Sequence, residues 1–282
     1  MRRLDDALVQ RLERALGAKA VVTDPEILPP YGQDESGDGP YPAEGVLRPK
    51  TPDEVRTALR LCHEAGVPVT PRGGGTGKSG GALPVAGGVV LSLSGMNRIL
   101  DIDTADLLAV VEPGVILERF ADEVEAQGLF YPPDPASLDS CTLGGNVAEN
   151  AGGPRAIRYG VTGNYVLGLE AALMHGGRLE LGGRTVKDVS GYDLTSLVVG
   201  SEGTLAVATR LQLRLLAKPR AVVAAWATFA TPEGAAGAVT ELLASGLDPR
   251  CLELMDAESL SHGALEKAGM AQEGRGAVLV EL

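Results

Sequence analysis

Residues 71–81 read PRGGGTGKSGG, a run of glycines closing on a lysine and a serine. Runs of this kind wrap phosphate in backbone N–H donors. The nucleoside-triphosphate loop requires Gly, four residues, then Gly-Lys-Ser or Gly-Lys-Thr. Counting back from Gly77 and Lys78, its first glycine position is held by Arg72. The dinucleotide pattern Gly-x-Gly-x-x-Gly does fit Gly75, Gly77 and Gly80, but in a chain with 38 glycines that fit carries little weight. Both patterns also need a helix directly after the loop, because its N-terminal amides hold the phosphate. The next residues are GALPVAGGVVLSL, where Pro84 and the pair Gly87 and Gly88 break a helix and Val89 to Leu93 reads as a short apolar strand. The loop therefore joins strand to strand. Two readings stay open for it: an anion nest of successive N–H groups, or a plain surface hairpin.

A second dense stretch is YPPDPASLDSCTLGGNVAENAGGPRAIRYGVTGNYVLGLE. Pro132, Pro133 and Pro135 stiffen its approach, and glycine pairs at 144–145 and 152–153 let backbone come close to a ligand. Asn146 and Asn150, four apart, would share one face of a short helix and present amides to a polar ring system. A third piece, VVGSEGTLAV, puts Glu202 and Gly203 at the entry to a strand.

The rest of the chain sets the frame for these three stretches. Its 282 residues suffice for one large domain or two smaller ones with an ample core, as expected of a soluble globular protein. A net charge of −12 argues against a nucleic-acid or anionic-membrane surface, which demands a basic footprint. Cys62, Cys141 and Cys251 are far apart and odd in number, giving neither a disulfide framework nor metal-ligand spacing. This usage suits a reducing, cytoplasmic compartment, with membrane association through a partner left open. MRRLDDALVQRLERAL has no signal-peptide pattern; Leu4, Leu8, Leu12 and Leu16 mark an amphipathic helix.

After a Pro- and Gly-rich loop from Pro29 to Pro42, TPDEVRTALRLCHEAG predicts a helix. Thr51 caps it, Pro52 opens its first turn, Glu54 completes a capping box and Gly66 ends it. Strand-like VPVT then delivers the chain to the glycine loop. Strands are expected at Ile99 to Ile102 and Leu108 to Glu112, and a helix from about Ile116 to Gln127, stopped by Gly128. In TLAVATRLQLRLL, Leu205, Val207, Leu211, Leu213 and Leu215 fall on one face of a half-buried strand. Composition shifts at AKPR, residues 217–220, after which VVAAWATFA, PEGAAGAVTELLASG and CLELM suggest strand, helix and strand. GAVLVEL closes the sequence as a strand apolar enough to need neighbours on both sides. Its position suggests an incomplete second domain; the alternative is a strand that finishes a small sheet.

Taken in order, PRGGGTGKSGG, PPDPASLDSCTLGGNVAENAGGPRAIRYGVTG and TVKDVSGYDLTSLVVGSEGTL resemble the FAD-binding domain of the vanillyl-alcohol oxidase and p-cresol methylhydroxylase superfamily. Within it, the chain is similar to the flavoprotein D subunit of glycolate oxidase and to D-lactate dehydrogenases, from about Glu44 to Leu215. The resemblance implies an α+β fold. Residues 1–217 would form an FAD-binding domain of two subdomains, with their boundary near 100–110, and residues 218–282 would start a C-terminal substrate or cap domain.

The same resemblance implies the site. Arg72, Gly73, Gly74, Gly75, Thr76, Gly77, Ser79 and Gly80 would embrace the FAD diphosphate. Pro132, Asp134, Ser137, Thr142, Gly145 and Asn146 would lie along the ribityl chain and isoalloxazine. Asn150, Gly152, Gly153 and the Val166 backbone would lie on the adenosine side, closed by Glu202 and Gly203. Lys78 departs from the family's usual apolar residue and is expected to face solvent. Members that attach FAD covalently use a histidine in or near the first loop, and none stands here, so noncovalent FAD is implied.

The implied reaction is FAD-linked dehydrogenation of a D-2-hydroxy acid such as glycolate or D-lactate, with electrons passing to a quinone, an iron–sulfur subunit or another flavoprotein subunit. Such a reaction needs a base and a cation for the substrate carboxylate. The family's histidine- and acid-rich segment lies beyond the matched residues. His63, His175 and His262 each read as structural or exposed, so no catalytic residue is assigned. The alternatives are the fold-sharing flavin reductase of peptidoglycan precursor synthesis, and an FAD-holding electron-relay or scaffold subunit with no catalytic site of its own.

Overall fold

Leu8 and Leu12 lie on one stripe of α1 (Asp6–Leu16) and are buried; Leu4 and Leu16 pack beside them, as the four-residue spacing predicts. The Asp5 side chain caps this helix by accepting from the Leu8 N–H at 2.8 Å. In α2 (Pro52–Ala65), Thr51 Oγ1 accepts from the Glu54 N–H at 3.2 Å, and Gly66 ends the helix in the left-handed conformation. The Glu54 carboxylate reaches back one residue further than a standard capping box, accepting from the Lys50 N–H at 2.7 Å.

The computed structural model describes residues 3–261, 269 and 274–282. These divide into two units. One comprises the chain up to Tyr131, Ala136–Ala151 and Tyr165–Ala217; the other comprises Pro132–Pro135, Gly152–Asn164 and the residues from Lys218 on.

The first unit holds two sheets. In one, β1 (Val21–Val22), β2 (Gly45–Leu47), β3 (Val69–Arg72) and β4 (Val89–Ser92) lie in the order β1-β2-β4-β3, with β4 parallel to both its neighbours. Val89, Val90 and Leu91 are wholly buried, the continuous apolar run expected of a parallel strand covered on both faces. In the other, β5 (Ile99–Asp103), β6 (Leu108–Val111), β8 (Val166–Ala172), β9 (Arg178–Gly182) and β10 (Val207–Arg214) run antiparallel in the order β5-β6-β10-β8-β9. A short pair, β7 (Leu129–Phe130) with β11 (Leu216–Ala217), adjoins them in sequence. Leu8 and Leu12, Val55 and Leu59 of α2, Leu47 and Leu91 of the first sheet, and Ala172 and Val207 of the second form one continuous core. Each fully buried leucine contributes roughly 1.5–3 kcal/mol by leaving water.

Strand β10 alternates inward and outward as its sequence predicts, with Val207, Thr209, Leu211 and Leu213 inside. Leu205 departs from that expectation. It lies before the strand and is half exposed, while its neighbour Ala206 is buried. The cause is the preceding turn, where Glu202 and Gly203 both take positive φ and redirect the chain. Helices α3 (Leu117–Glu125) and α4 (Leu143–Glu149) complete the elements of this unit that concern the site.

In the second unit, β12 (Ala224–Phe229), β13 (Cys251–Asp256) and β14 (Gly276–Glu281) form an antiparallel sheet in the order β12-β14-β13. The apolar strand β14 thus has a neighbour on each side. Helix Pro232–Ala244, capped by Thr231, brings Ala235 against Gly276 of β14.

Candidate functional site

Strand β3 ends at Arg72 and the next strand begins at Val89, so the glycine loop does run from strand to strand. Within the first unit, parts of the other two stretches singled out by sequence close on this loop. A Cβ at Gly73 would collide with Thr142 Oγ1, and one at Gly74 would stand 2.5 Å from the Ser140 carbonyl oxygen. One at Gly77 would lie 2.8 Å from a carboxylate oxygen of Glu149, and one at Gly81 would strike Glu202. At Gly74 the obstacle is fixed backbone, so glycine is required there; at Gly73, Gly77 and Gly81 side chains of other segments fill the space.

Thr142 caps α4, its Oγ1 accepting from the Gly145 N–H at 3.2 Å. Gly144 packs on Pro113, where a Cβ would meet the ring carbon at 2.5 Å. Asn146 lies on the helix and is buried, but Asn150 does not share its face: it is the C-cap, with φ of +50°. The pattern of four fails because the helix stops one residue short of Asn150. The turn containing Glu202 and Gly203 docks on that helix end. Gly200 N–H donates to the Val147 carbonyl and Glu202 N–H to the Ala148 carbonyl, each at 2.9 Å, satisfying acceptors that a helix terminus leaves open. Gly203 in turn rests on Pro71, just before the loop.

The loop's own polar groups are poised for an anion. Among the described residues, no protein acceptor meets the backbone N–H groups of Gly73 to Gly77. Arg72 Nη1 is buried without a hydrogen-bond partner, while its Nη2 approaches the Pro30 carbonyl at 3.4 Å and its guanidinium lies over the Tyr31 ring at 5.9 Å. Burial pulls the Arg72 guanidinium below its usual range, against the opposing charges of Asp34 and Tyr31. Asn146 Nδ2 is likewise buried, with no acceptor beside it apart from the Cys141 sulfur. Unpaired N–H groups and a buried guanidinium are donors that a phosphate satisfies.

Two carboxylates meet at Ser79 of the same loop. Ser79 Oγ lies 2.9 and 3.1 Å from the two Glu149 oxygens and 3.2 Å from Glu202 Oε2. The Glu149 carboxyl is pushed above the ordinary carboxylate range, first by partial burial and then by the charges of Glu202 and Asp34, with the Ser79 hydroxyl opposing. Lys78 Nζ pairs with Glu35 at 2.9 Å and remains largely exposed, away from the buried donors. The Glu35 N–H also donates to the Gly75 carbonyl at 3.2 Å. Tyr31, Asp34 and Glu35 therefore belong to the site's surroundings, although only the loop character of their segment is legible from sequence.

Ser137 accepts through its carbonyl from the Ser140 and Cys141 N–H groups, forming the turn ahead of Thr142. Val166 opens β8 and pairs with Leu213. Pro132, Asp134, Gly152 and Gly153 fall in the second unit. There Asp134 Oδ1 accepts from the Arg155 N–H at 3.1 Å, its Oδ2 lies 3.2 Å from Arg155 Nε, and a Cβ on Gly153 would strike its carbonyl. Burial pushes the Asp134 carboxyl up, while Arg155 and Arg250 hold it back. His63 is exposed on α2 and His175 is exposed in the turn between β8 and β9; His262 lies outside the described residues. Among the described residues, no cluster of His, Cys, Asp or Glu could hold a metal ion, and no helix is long and apolar enough to cross a membrane.

Residues 43–182 match the family described as FAD binding domain. Over 241 residues the chain is 42% identical to the glycolate oxidase subunit GlcD of Bacillus subtilis, covering 84% of this chain and 51% of that protein. Over 246 residues it is 37% identical to a D-lactate dehydrogenase of Anaerostipes hadrus, covering 87% and 52%. The chain belongs to the family of that FAD binding domain.

The flavoprotein's fold is shared with solved structures of low identity. Alkyldihydroxyacetonephosphate synthase superposes with a TM-score of 0.85 at 20% identity, over 99% of this chain and 56% of that one. Substrate-bound p-cresol methylhydroxylase gives 0.73 at 19%, over 98% and 60%. The architecture is thus the α+β fold of the p-cresol methylhydroxylase type, and the cofactor of the family is FAD. The flavoprotein chain spans about half the length of the curated relatives it matches.

Proposed function

We propose that this chain holds FAD noncovalently for the dehydrogenation of a D-2-hydroxy acid such as glycolate or D-lactate. The observation that carries the cofactor's placement is the closure of two separate segments, residues 140–150 and 200–203, on a glycine loop whose N–H groups have no protein acceptor among the described residues. Arg72 to Gly77, with Ser79 and Gly80, would hold the diphosphate; Thr142, Gly145 and Asn146 would serve the ribityl chain and ring, and Asn150, Val166, Glu202 and Gly203 the adenosine. Ser137 would support the ring side through its turn. Pro132, Asp134, Gly152 and Gly153, in the second unit, keep the roles the family resemblance gives them.

Support for the substrate class comes from the relatives, which are named for glycolate and D-lactate. Bound FAD supplies the hydride acceptor. The chain's contribution is to bind and orient that cofactor; none of its described residues is assigned the substrate's hydroxyl proton. Electrons would leave to an iron–sulfur or flavoprotein subunit or to a quinone, and any membrane association would come through such a partner.

The test is anaerobic mixing of the FAD-loaded protein with glycolate, D-lactate and L-lactate while the visible flavin absorbance is followed. Slow bleaching by the D acid or glycolate, and none by the L acid, is expected. Full reduction by dithionite with no response to any 2-hydroxy acid would overturn the substrate assignment and favour the electron-relay alternative.

A further inference from the structure

Ser79 has one hydroxyl hydrogen and three carboxylate oxygens within hydrogen-bond distance, from Glu149 at 2.9 and 3.1 Å and from Glu202 at 3.2 Å. If both carboxyls are ionised, the hydroxyl donates to one, and the other presents a lone pair to the Ser79 oxygen. One added proton resolves this. A neutral carboxyl donates to Ser79 Oγ and Ser79 donates to the remaining carboxylate, so each of the two carboxyls is hydrogen-bonded to the hydroxyl.

Neither of the nearby cations relieves the pair. Facing Glu149 are Ser79 from the loop, Glu202 from the turn before β10 and, at longer range, Asp34 from the segment that crosses the loop. Lys78 is engaged by Glu35, and Arg72 lies against Tyr31 with Asp34 as its main opposing charge. A diphosphate seated on Gly73 to Gly77 adds further negative charge beside Gly77, whose Cβ position is already 2.8 Å from Glu149. Like charges this close favour the protonated form of one of them.

We propose that Glu149 is a positioning residue for the flavin diphosphate, and that FAD binding draws one proton from solvent onto the Glu149–Ser79–Glu202 group. The neutral carboxyl then ties the glycine loop to the turn before β10 without repelling the phosphates. This deepens the cofactor placement above and rests on the glycine loop being the diphosphate's seat.

Uptake of one proton on binding weakens affinity by up to tenfold per pH unit above the group's midpoint in the free protein. The measurement is the FAD dissociation constant from fluorescence titration of flavin-stripped protein between about pH 5 and about pH 9. Where stripping unfolds the chain, the rate of FAD loss from the holoprotein into a chase of excess competitor replaces it. Wild type is expected to weaken steadily as pH rises. Glu149→Gln, whose amide donates to Ser79 as the neutral carboxyl does, should hold FAD at the low-pH affinity throughout. Glu149→Ala should bind weakly at every pH.

Calorimetry in buffers of different ionisation enthalpy should register proton uptake in wild type and none in Glu149→Gln. A pH-independent affinity in wild type, or a slope that survives in Glu149→Gln, overturns the proposal. Gly74→Val separates the two levels: if it still binds FAD, the seat itself is wrong; if it loses FAD while the slope persists in Glu149→Gln, only the proton coupling is.

Discussion

A Cβ on Gly74 would stand 2.5 Å from the Ser140 carbonyl oxygen, closer than a Cβ can approach a backbone oxygen. Gly75 next to it has a φ of +75° and faces the Arg72 guanidinium. Gly74→Val and Gly75→Val should therefore deform the loop and weaken FAD binding by roughly a hundredfold or more, the first through steric conflict and the second through loss of its left-handed conformation as well. Lys78→Leu removes only an exposed ion pair, a kind worth about 0–1 kcal/mol, and should leave flavin content unchanged. The flavin-to-protein absorbance ratio of the purified variants reads both. Retention by the glycine variants together with loss in the lysine variant would reverse the assignment.

Denaturation should set the cofactor free. The loop and the segments closing on it, residues 71–81, 140–150 and 200–203, contain no histidine to carry a covalent bond. After guanidinium treatment and ultrafiltration, flavin fluorescence should appear entirely in the filtrate. Yellow protein on the membrane would contradict this.

Cys62 is wholly buried in the core between α1, α2 and the first sheet, and burial pushes its thiol from 9.0 up to about 12. The folded state therefore prefers the neutral thiol more strongly than the unfolded chain does. The stability this represents is complete below about pH 9 and is lost as pH rises towards 12, by up to about 1.4 kcal/mol per pH unit. Urea midpoints measured from about pH 8 upward should fall more steeply for wild type than for Cys62→Ala. Parallel curves would show that the thiol is not the titrating group.

Thr51→Ala deletes the acceptor for the Glu54 N–H at the start of α2. Caps of this type are worth about 0.5–2 kcal/mol. A lowered thermal midpoint is expected, with less of an effect for Thr51→Ser, which keeps the oxygen. Equal losses in the two variants would point to the methyl group instead.

Legibility in the sequence follows the range of the interactions involved. The cap Thr51, the stop at Gly66 and the alternation of β10 are local: each depends on residues within one turn or one strand. The glycine loop is legible because its residue type is dictated by the crowding around it. Leu205 misleads because two positive-φ residues upstream move the start of the strand, and Asn150 misleads because its helix ends one residue earlier. Glu149, Glu202 and Ser79 meet across separations of 70 and 123 residues, and Lys78 and Glu35 across 43. Nothing in a local pattern encodes such meetings. His63 lies exposed on α2, which buries other residues, and His175 in the exposed turn after β8, consistent with the structural or exposed reading from sequence.

In the three-stranded sheet of the second unit, the middle position belongs to β14, the last of the three in sequence, while β12 and β13 never touch through backbone hydrogen bonds. During synthesis, neither earlier strand can find its lasting partner until residues 276–281 have cleared the ribosome. Until then both carry open edges available to other chains. This unit thus gains its sheet in a single late step, whereas α1, α2 and the parallel strands of the first unit can assemble while translation continues.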